Sequence, residues 1–231
     1  MEEREYAHIS FRKKVSHYHE VVAGLVEKYT PSGGRVVDIG CGLGHVLELV
    51  HQRAPGLQLV GADPSDKCLQ FTRERLPDAS LVQISEDHLD PALLGDDFDT
   101  SLMIHSLEHM LSPPDAIRTA LSITKPGGHL ILAVPNPVRP NVFFGSARKQ
   151  NYVNRGHVYS WDRPHWMNFL ERILELEVVE YAEDEVRFIS NRLMRRIPSL
   201  KRIEVAAARR LPWWSFSNIA VVRNPGARAA A

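Results

Sequence analysis

At 231 residues, with 44% hydrophobic residues and 28 Lys and Arg against 28 Asp and Glu, the chain is long enough for one sizeable core and short for two. Its two cysteines, Cys41 and Cys68, are too few for a disulfide framework and point to a reducing compartment. The amino terminus, MEEREYAHISFRKK, lacks the apolar stretch of a signal peptide, and no run approaches the roughly 18 apolar residues of a membrane span, so a cytoplasmic location is expected.

In chain order, a first helix is expected over 12–29. The stretch VVDIGCGLGH that starts at Val36 reads as a strand running into glycines 40, 42 and 44, followed by a helix over 46–53. LQLVGADPS over 57–65 is a second strand ending in Asp63, followed by a helix over 66–76. A third strand over 80–84 carries Glu86, Asp87 and His88 at its carboxyl end. Met103 and Ile104 belong to a fourth strand. Ser112 caps the next helix, with proline in its first turn. A Pro-Gly-Gly turn and a fifth strand follow, ending near Val134. Beyond these lie a loop-rich insertion over 136–160, a helix over 162–174, a strand over 178–182 and a last strand over 218–223. The alanine-rich tail, 227–231, is expected to be disordered. Strands alternating with helical stretches of about 10 to 15 residues imply right-handed crossovers and a parallel sheet.

Glycines 40, 42 and 44 allow a sharp turn and a close ligand approach, and the helix that follows presents free N–H groups to that ligand. The dinucleotide fingerprint G-x-G-x-x-G does not fit: His45 holds the sixth position, a glycine comes one residue early, and Asp38 would repel a pyrophosphate. No Tyr-x-x-x-Lys pair supports a nicotinamide oxidoreductase either. With FDTSLMIHSLEHM over 98–110 and LSITKPGGHLILAVPNP over 121–137, the pattern over 34–137 resembles the class I S-adenosylmethionine-dependent methyltransferases, particularly small-molecule, quinone-pathway-like members.

That resemblance implies an α/β, Rossmann-like, doubly wound sheet of seven strands, the last two an antiparallel pair, with helices on both faces. It implies S-adenosylmethionine as cofactor, held by Asp38, Gly40, Cys41, Gly42 and Gly44, by Asp63, Pro64 and Ser65 at the ribose, and by the acidic stretch Glu86, Asp87, His88, with Asp87 preferred at the adenine amino group. His105 lies beside it. The expected division is a helical lid over 1–33, the cofactor core over 34–137, and an acceptor-side insertion with the rest of the same domain over 138–231.

Methyl transfer from a sulfonium is chiefly a matter of positioning, and a base near neutral pKa helps when the acceptor carries a proton. Within His105-Ser-Leu-Glu108-His109, His109 is the first candidate for base or acceptor orienter, with His105 and Glu108 beside it. The alternative reading is that Glu108 and His109 only fix the loop. The same residues match the H-x-x-E-H zinc signature, but the strand before and the capped helix after leave no helix for both histidines. His105 stands where some quinone-pathway relatives have a magnesium-liganding Glu, and a histidine is softer than magnesium prefers. No metal is expected. Asn136, Tyr152, Asn154, Arg155, His157, Tyr159, Trp161 and His165 are candidate acceptor contacts, and Tyr18 and His19 candidate lid residues, with core or surface placement as their plainer reading.

Residues 185–231 carry ten Lys and Arg against two Glu, so the rest of the chain is correspondingly acidic. Arg192, Arg195 and Arg196 share one side if 190–197 is helical. A solvated face is the plainer reading, and a landing surface for a phosphorylated acceptor, a nucleotide sugar or an anionic lipid head group the sharper one. The aromatics of Leu211-Pro-Trp-Trp-Ser-Phe216 are expected to pack on the sheet. An acidic body around the cofactor argues against nucleic acid. The expected function is methyl transfer to a small-molecule acceptor, at oxygen first, by a monomer or homodimer. A non-catalytic S-adenosylmethionine-binding partner subunit is the alternative.

Overall fold

The computed structural model describes residues 15–86, 89–138, 156–189, 194 and 196–226. Asp87, His88, Tyr152, Asn154, Arg155, Arg192, Arg195 and the alanine tail lie outside the described residues.

Seven strands form one sheet in the order β3-β2-β1-β4-β5-β7-β6. They are β1 Arg35–Ile39, β2 Gln58–Asp63, β3 Ser80–Gln83, β4 Phe98–Ile104, β5 Thr124–Pro135, β6 Glu177–Ala182 and β7 Ser217–Arg223. The first five run parallel, while β7 is antiparallel to both β5 and β6. This is the expected fold.

Period-2 alternation along the strands builds two cores. Val37, Leu130, Leu132 and Val222 face one side, and Val36, Ile131, Ala133 and Val221 the other. Helices α1 (His17–Tyr29), α2 (His45–Arg53) and α3 (Asp66–Arg75) cover the second face through Val22, Val26, Leu47, Val50 and Leu69. Helices α4 (Pro91–Leu94), α5 (Pro113–Ile123) and α6 (Arg163–Asn168) cover the first, with Leu94, Ile117, Ala120 and Trp166. A π turn, Phe169–Ile173, prolongs α6, and α7 (Lys201–Ala208) lies between β6 and β7. Among the described residues no helix is long and apolar enough to cross a membrane.

Three local expectations are corrected. Pro126-Gly127-Gly128 is not a turn before β5. The strand already begins at Thr124 and the Pro-Gly-Gly segment is a bulge, with a register shift opposite Phe98 and Thr100 and Gly127 at φ +79°. Trp213 does not pack on the sheet: Pro212–Trp214 forms a 3-10 turn that leaves this side chain 54% exposed. Trp161 belongs to the core with Trp166 and Phe169, ring centroids 5.6 and 5.3 Å away, so it is no acceptor contact.

The strand order reverses between β1 and β4, and the carboxyl ends of these neighbours frame the crevice where ligands bind in such sheets.

Candidate functional site

The glycine turn is closed by its own Gly44 N–H to Cys41 carbonyl bond at 3.0 Å and tied to β2. Gly40 and Cys41 both donate to the Ala62 carbonyl, at 2.7 and 2.9 Å. Gly40 has φ +83°, and a Cβ there would lie 2.5 Å from that of Ser106. A side chain is therefore barred both by backbone conformation and by the β4 loop. Ser106 in turn donates to the Ile39 carbonyl at 3.0 Å, closing β1 against β4. Gly42, at φ +53°, differs: a Cβ there would meet nothing within 4 Å. Its open side leaves the backbone bare for a ligand.

Two buried carboxylates flank the turn. Asp63 accepts from the Gly42 N–H at 2.8 Å and from the Ser65 N–H at 2.9 Å. It shapes the turn, and a carboxylate can accept more than these two bonds, hydroxyl donors included. Asp38 is 2% exposed, and its Oδ1 has no hydrogen-bond partner among the described residues. Burial, then the Asp63 charge, pushes its carboxyl up to about 8. A buried acceptor without a donor is costly, and a ligand ammonium would relieve it. The residues present thus fit a cofactor with a cationic amino-acid end and a diol, and they disfavour a pyrophosphate.

The remaining cofactor candidates have smaller parts. Cys41 is buried and burial raises its thiol far above the usual range. Gly44 caps α2 in the left-handed conformation. The Pro64 carbonyl accepts from Gln83 at 3.1 Å, and Ser65 caps α3 through the Cys68 N–H at 3.3 Å. Glu86 is exposed.

Beyond β4 the site is made by contacts distant in sequence. His105 sits at φ +52°, unusual for a non-glycine residue. Its N–H donates to Ala133, and its Nε2 lies 2.9 Å from Ser217 Oγ. Ser217 is tied by its N–H to the fully buried Asp184 at 3.2 Å. Tyr18 stacks on the His105 ring at 4.3 Å and 22°, and Phe216 lies 6.1 Å from both rings. The candidate lid residue Tyr18 therefore reaches the crevice. His19 is held neutral: burial, then the His45 and Arg187 charges, lower it to about 3, and its Nδ1 accepts from Ser16.

Leu107–His109 is a 3-10 turn, and β4 ends at Ile104, so the two histidines share no helix face. Glu108 is buried, and its carbonyl accepts from Val158 and Tyr159 at 2.7 and 3.2 Å. His109 Nδ1 is 2.6 Å from the Gly156 carbonyl, and its Nε2 is 3.8 Å from Glu108 Oε1. The His157 ring stands edge-on to His109 at 4.8 Å. Ligand-type atoms of Glu108, His109 and His157 all lie within 4.8 Å of one another. Because Nδ1 faces a carbonyl, which can only accept, Nδ1 carries a proton. This clasp fixes the loop.

Other acceptor candidates are used structurally. Asn136 is fully buried and donates to the Trp213 and Ser215 carbonyls at 2.8 and 3.0 Å. Tyr159 stacks on Trp161 at 5.3 Å and donates to the Leu111 carbonyl. His165 points to solvent, paired with Asp162 at 2.7 Å. Sequence reasoning missed Ser217 and Asp184, which carry no local motif, and expected Phe216 only to pack on the sheet. A cavity of about 400 Å³ lined by Arg35, His51 and Arg75 lies at the opposite, amino-terminal end of β1–β3, away from this chemistry.

Comparison with known proteins agrees with the geometry. A family model described as a methyltransferase domain matches residues 6–184. The chain is 32% identical over 126 residues to a ubiquinone biosynthesis O-methyltransferase of Stutzerimonas stutzeri, covering 51% of this chain and 53% of that one. It is 34% identical over 118 residues to a trans-aconitate 2-methyltransferase of Paracidovorax citrulli, covering 51% and 44%. The chain thus spans about half the length of the curated relatives it matches. An S-adenosylmethionine-dependent methyltransferase structure from Mesorhizobium loti superposes with TM-score 0.59 at 19% identity, covering 89% of this chain and 99% of that one. With its seven-stranded sheet, its glycine turn and this match over more than half its length, the chain belongs to the methyltransferase-domain family and has the fold of the class I S-adenosylmethionine-dependent methyltransferases.

Proposed function

We propose that the protein transfers a methyl group from S-adenosylmethionine to an oxygen of a small-molecule acceptor. One observation carries the reading: the buried, unpartnered Oδ1 of Asp38 under a left-handed glycine turn whose middle residue opens on empty space. The cofactor supplies a methyl group on a sulfonium, already activated for in-line displacement. What the chain adds is placement. Asp38 binds the ammonium, Asp63 the ribose hydroxyls, and the turn backbone the amino-acid end, with Glu86, Asp87 and His88 assigned to the adenine side. His109 Nε2 takes the proton of the acceptor hydroxyl, and the Gly156 carbonyl holds that tautomer. His105, fixed by Ser217 and roofed by Tyr18, orients the acceptor. In this reading residues 1–33 form the lid, 34–137 the cofactor core and 138–231 the acceptor side. The relative named as a ubiquinone biosynthesis O-methyltransferase favours an oxygen acceptor. No step needs a metal.

The test has two stages. S-adenosylhomocysteine should raise the melting temperature and NAD should not, since only a bound ligand stabilises by mass action. Labelled methyl incorporation is then screened over hydroxyl, carboxylate and amine acceptors. Labelling of an amine in preference to every oxygen acceptor overturns the oxygen assignment. Binding of the cofactor product with no labelling of any acceptor class favours the non-catalytic partner subunit.

A further inference from the structure

Among the described residues, the link between β6 and β7 carries basic and apolar side chains on its outer surface. Residues 185–231 contain only two carboxylates, Glu185 and Glu204, and both are turned inward, 1% and 2% exposed. Glu204 accepts the Phe188 and Ile189 N–H groups at 3.0 and 2.9 Å. Glu185 takes Lys201 and Arg187. These bonds pin α7 with one side to the protein.

The side left outward is cationic and apolar together. Glu204 and Ala208 make the buried stripe of α7. On the opposite arc the 3.6-residue period places Arg202, Arg209 and Arg210 with Ile203. All four are exposed, and among the described residues none of these arginines is in an ion pair. Ile203 is 52% exposed. On the flanking turns Ile197, Leu211 and Trp213 are 45%, 41% and 54% exposed. A solvated helix face accounts for the arginines and leaves the bare Ile and Trp side chains without a reason. Basic residues interleaved with exposed apolar and Trp side chains match an anionic bilayer surface, where phosphates meet the cations and the acyl boundary takes the apolar groups.

We infer that the surface formed by α7 and its flanking turns docks this protein on an anionic lipid membrane. The dock adjoins the crevice. Asn136 ties the Trp213 carbonyl to the end of β5 at 2.8 Å, and Phe216, three residues on, lies 6.1 Å from His105. A membrane-held acceptor would thus enter beside the lid.

Flotation of the full chain with neutral phosphatidylcholine vesicles, and with vesicles about one-third phosphatidylglycerol, tests this without any methyl transfer, so it succeeds or fails independently of the catalytic reading. Binding to the anionic vesicles is expected to exceed neutral binding by at least about tenfold and to fall with salt. Brominated lipids should quench the protein's fluorescence, and Trp213→Ser should remove most of that quenching. Replacing Arg202, Arg209 and Arg210 by Gln should weaken binding by about a hundredfold, and by Glu by more than that. Equal binding to both vesicles, or unchanged binding of both triple variants, overturns the inference. So does a lipid-free dimer abolished by Trp213→Ser, which would give this surface to a second copy of the chain.

Discussion

The two sides of the crevice are built differently. On the β1–β3 side the turn is held by hydrogen bonds to its own backbone: Ala62 holds Gly40 and Cys41, and Asp63 holds Gly42. On the β4–β7 side the groups are held by side chains reaching across the sequence: His105 to Ser217, His109 to Gly156, Asn136 to Trp213. The first arrangement fixes the pocket proposed for the cofactor through short-range backbone contacts. The second lets the acceptor side vary without disturbing it. Changes on one side should therefore separate cleanly from changes on the other.

The largest expected effect is on the cofactor side. Gly40→Val would force a β-branched residue into φ +83° and against Ser106, costing about 3 kcal/mol or more of stability. S-adenosylhomocysteine binding should disappear in calorimetry. Retained binding would mean that the turn is not the site. On the acceptor side, His109→Ala should lower the transfer rate by about a hundredfold or more while leaving S-adenosylhomocysteine affinity within about twofold. If affinity and rate fall together, the two sides are coupled and the contrast drawn above fails.

Sharper still is the pH dependence of Asp38. Its carboxyl is raised to about 8 in the folded protein from an ordinary value near 3.8, so between those values the folded state holds a proton that the unfolded chain has released. Stability without ligand should fall as pH rises through this window and level off above it. Asp38→Asn, which keeps the neutral form, should flatten the curve by about 2 kcal/mol or more. Parallel denaturation curves for the two proteins would contradict this. The smallest effect expected is none at all: dialysis against a chelator should leave the transfer rate unchanged. A loss restored by added zinc or manganese would turn the cluster of Glu108, His109 and His157 from a loop clasp into a metal centre.

The same contrast explains what the sequence disclosed. The glycine turn, Asp38 and Asp63 lie within about 25 residues of one another at strand ends, where spacing alone implies proximity. The apolar runs that become β5 and β7 were likewise legible as strands. Asp184 and Ser217 meet only because β7 enters the sheet antiparallel between β5 and β6, and no local pattern marks either residue. Trp161 and His165 look alike in a polar aromatic stretch. Packing sends one into the core and the other to solvent. The Pro-Gly-Gly segment reads as a turn because its residues favour one, yet the pairing of β5 with β4 absorbs it as a bulge.

The most direct measurement is calorimetry of S-adenosylhomocysteine binding at pH 7 in two buffers of different ionisation enthalpy. With burial pushing its carboxyl up to about 8, Asp38 is expected to hold its proton there in the free protein, and pairing with the ligand ammonium should ionise it, releasing about one proton per ligand bound. Binding without proton release, or no binding at all, would contradict the assignment of Asp38 and the glycine turn to the cofactor.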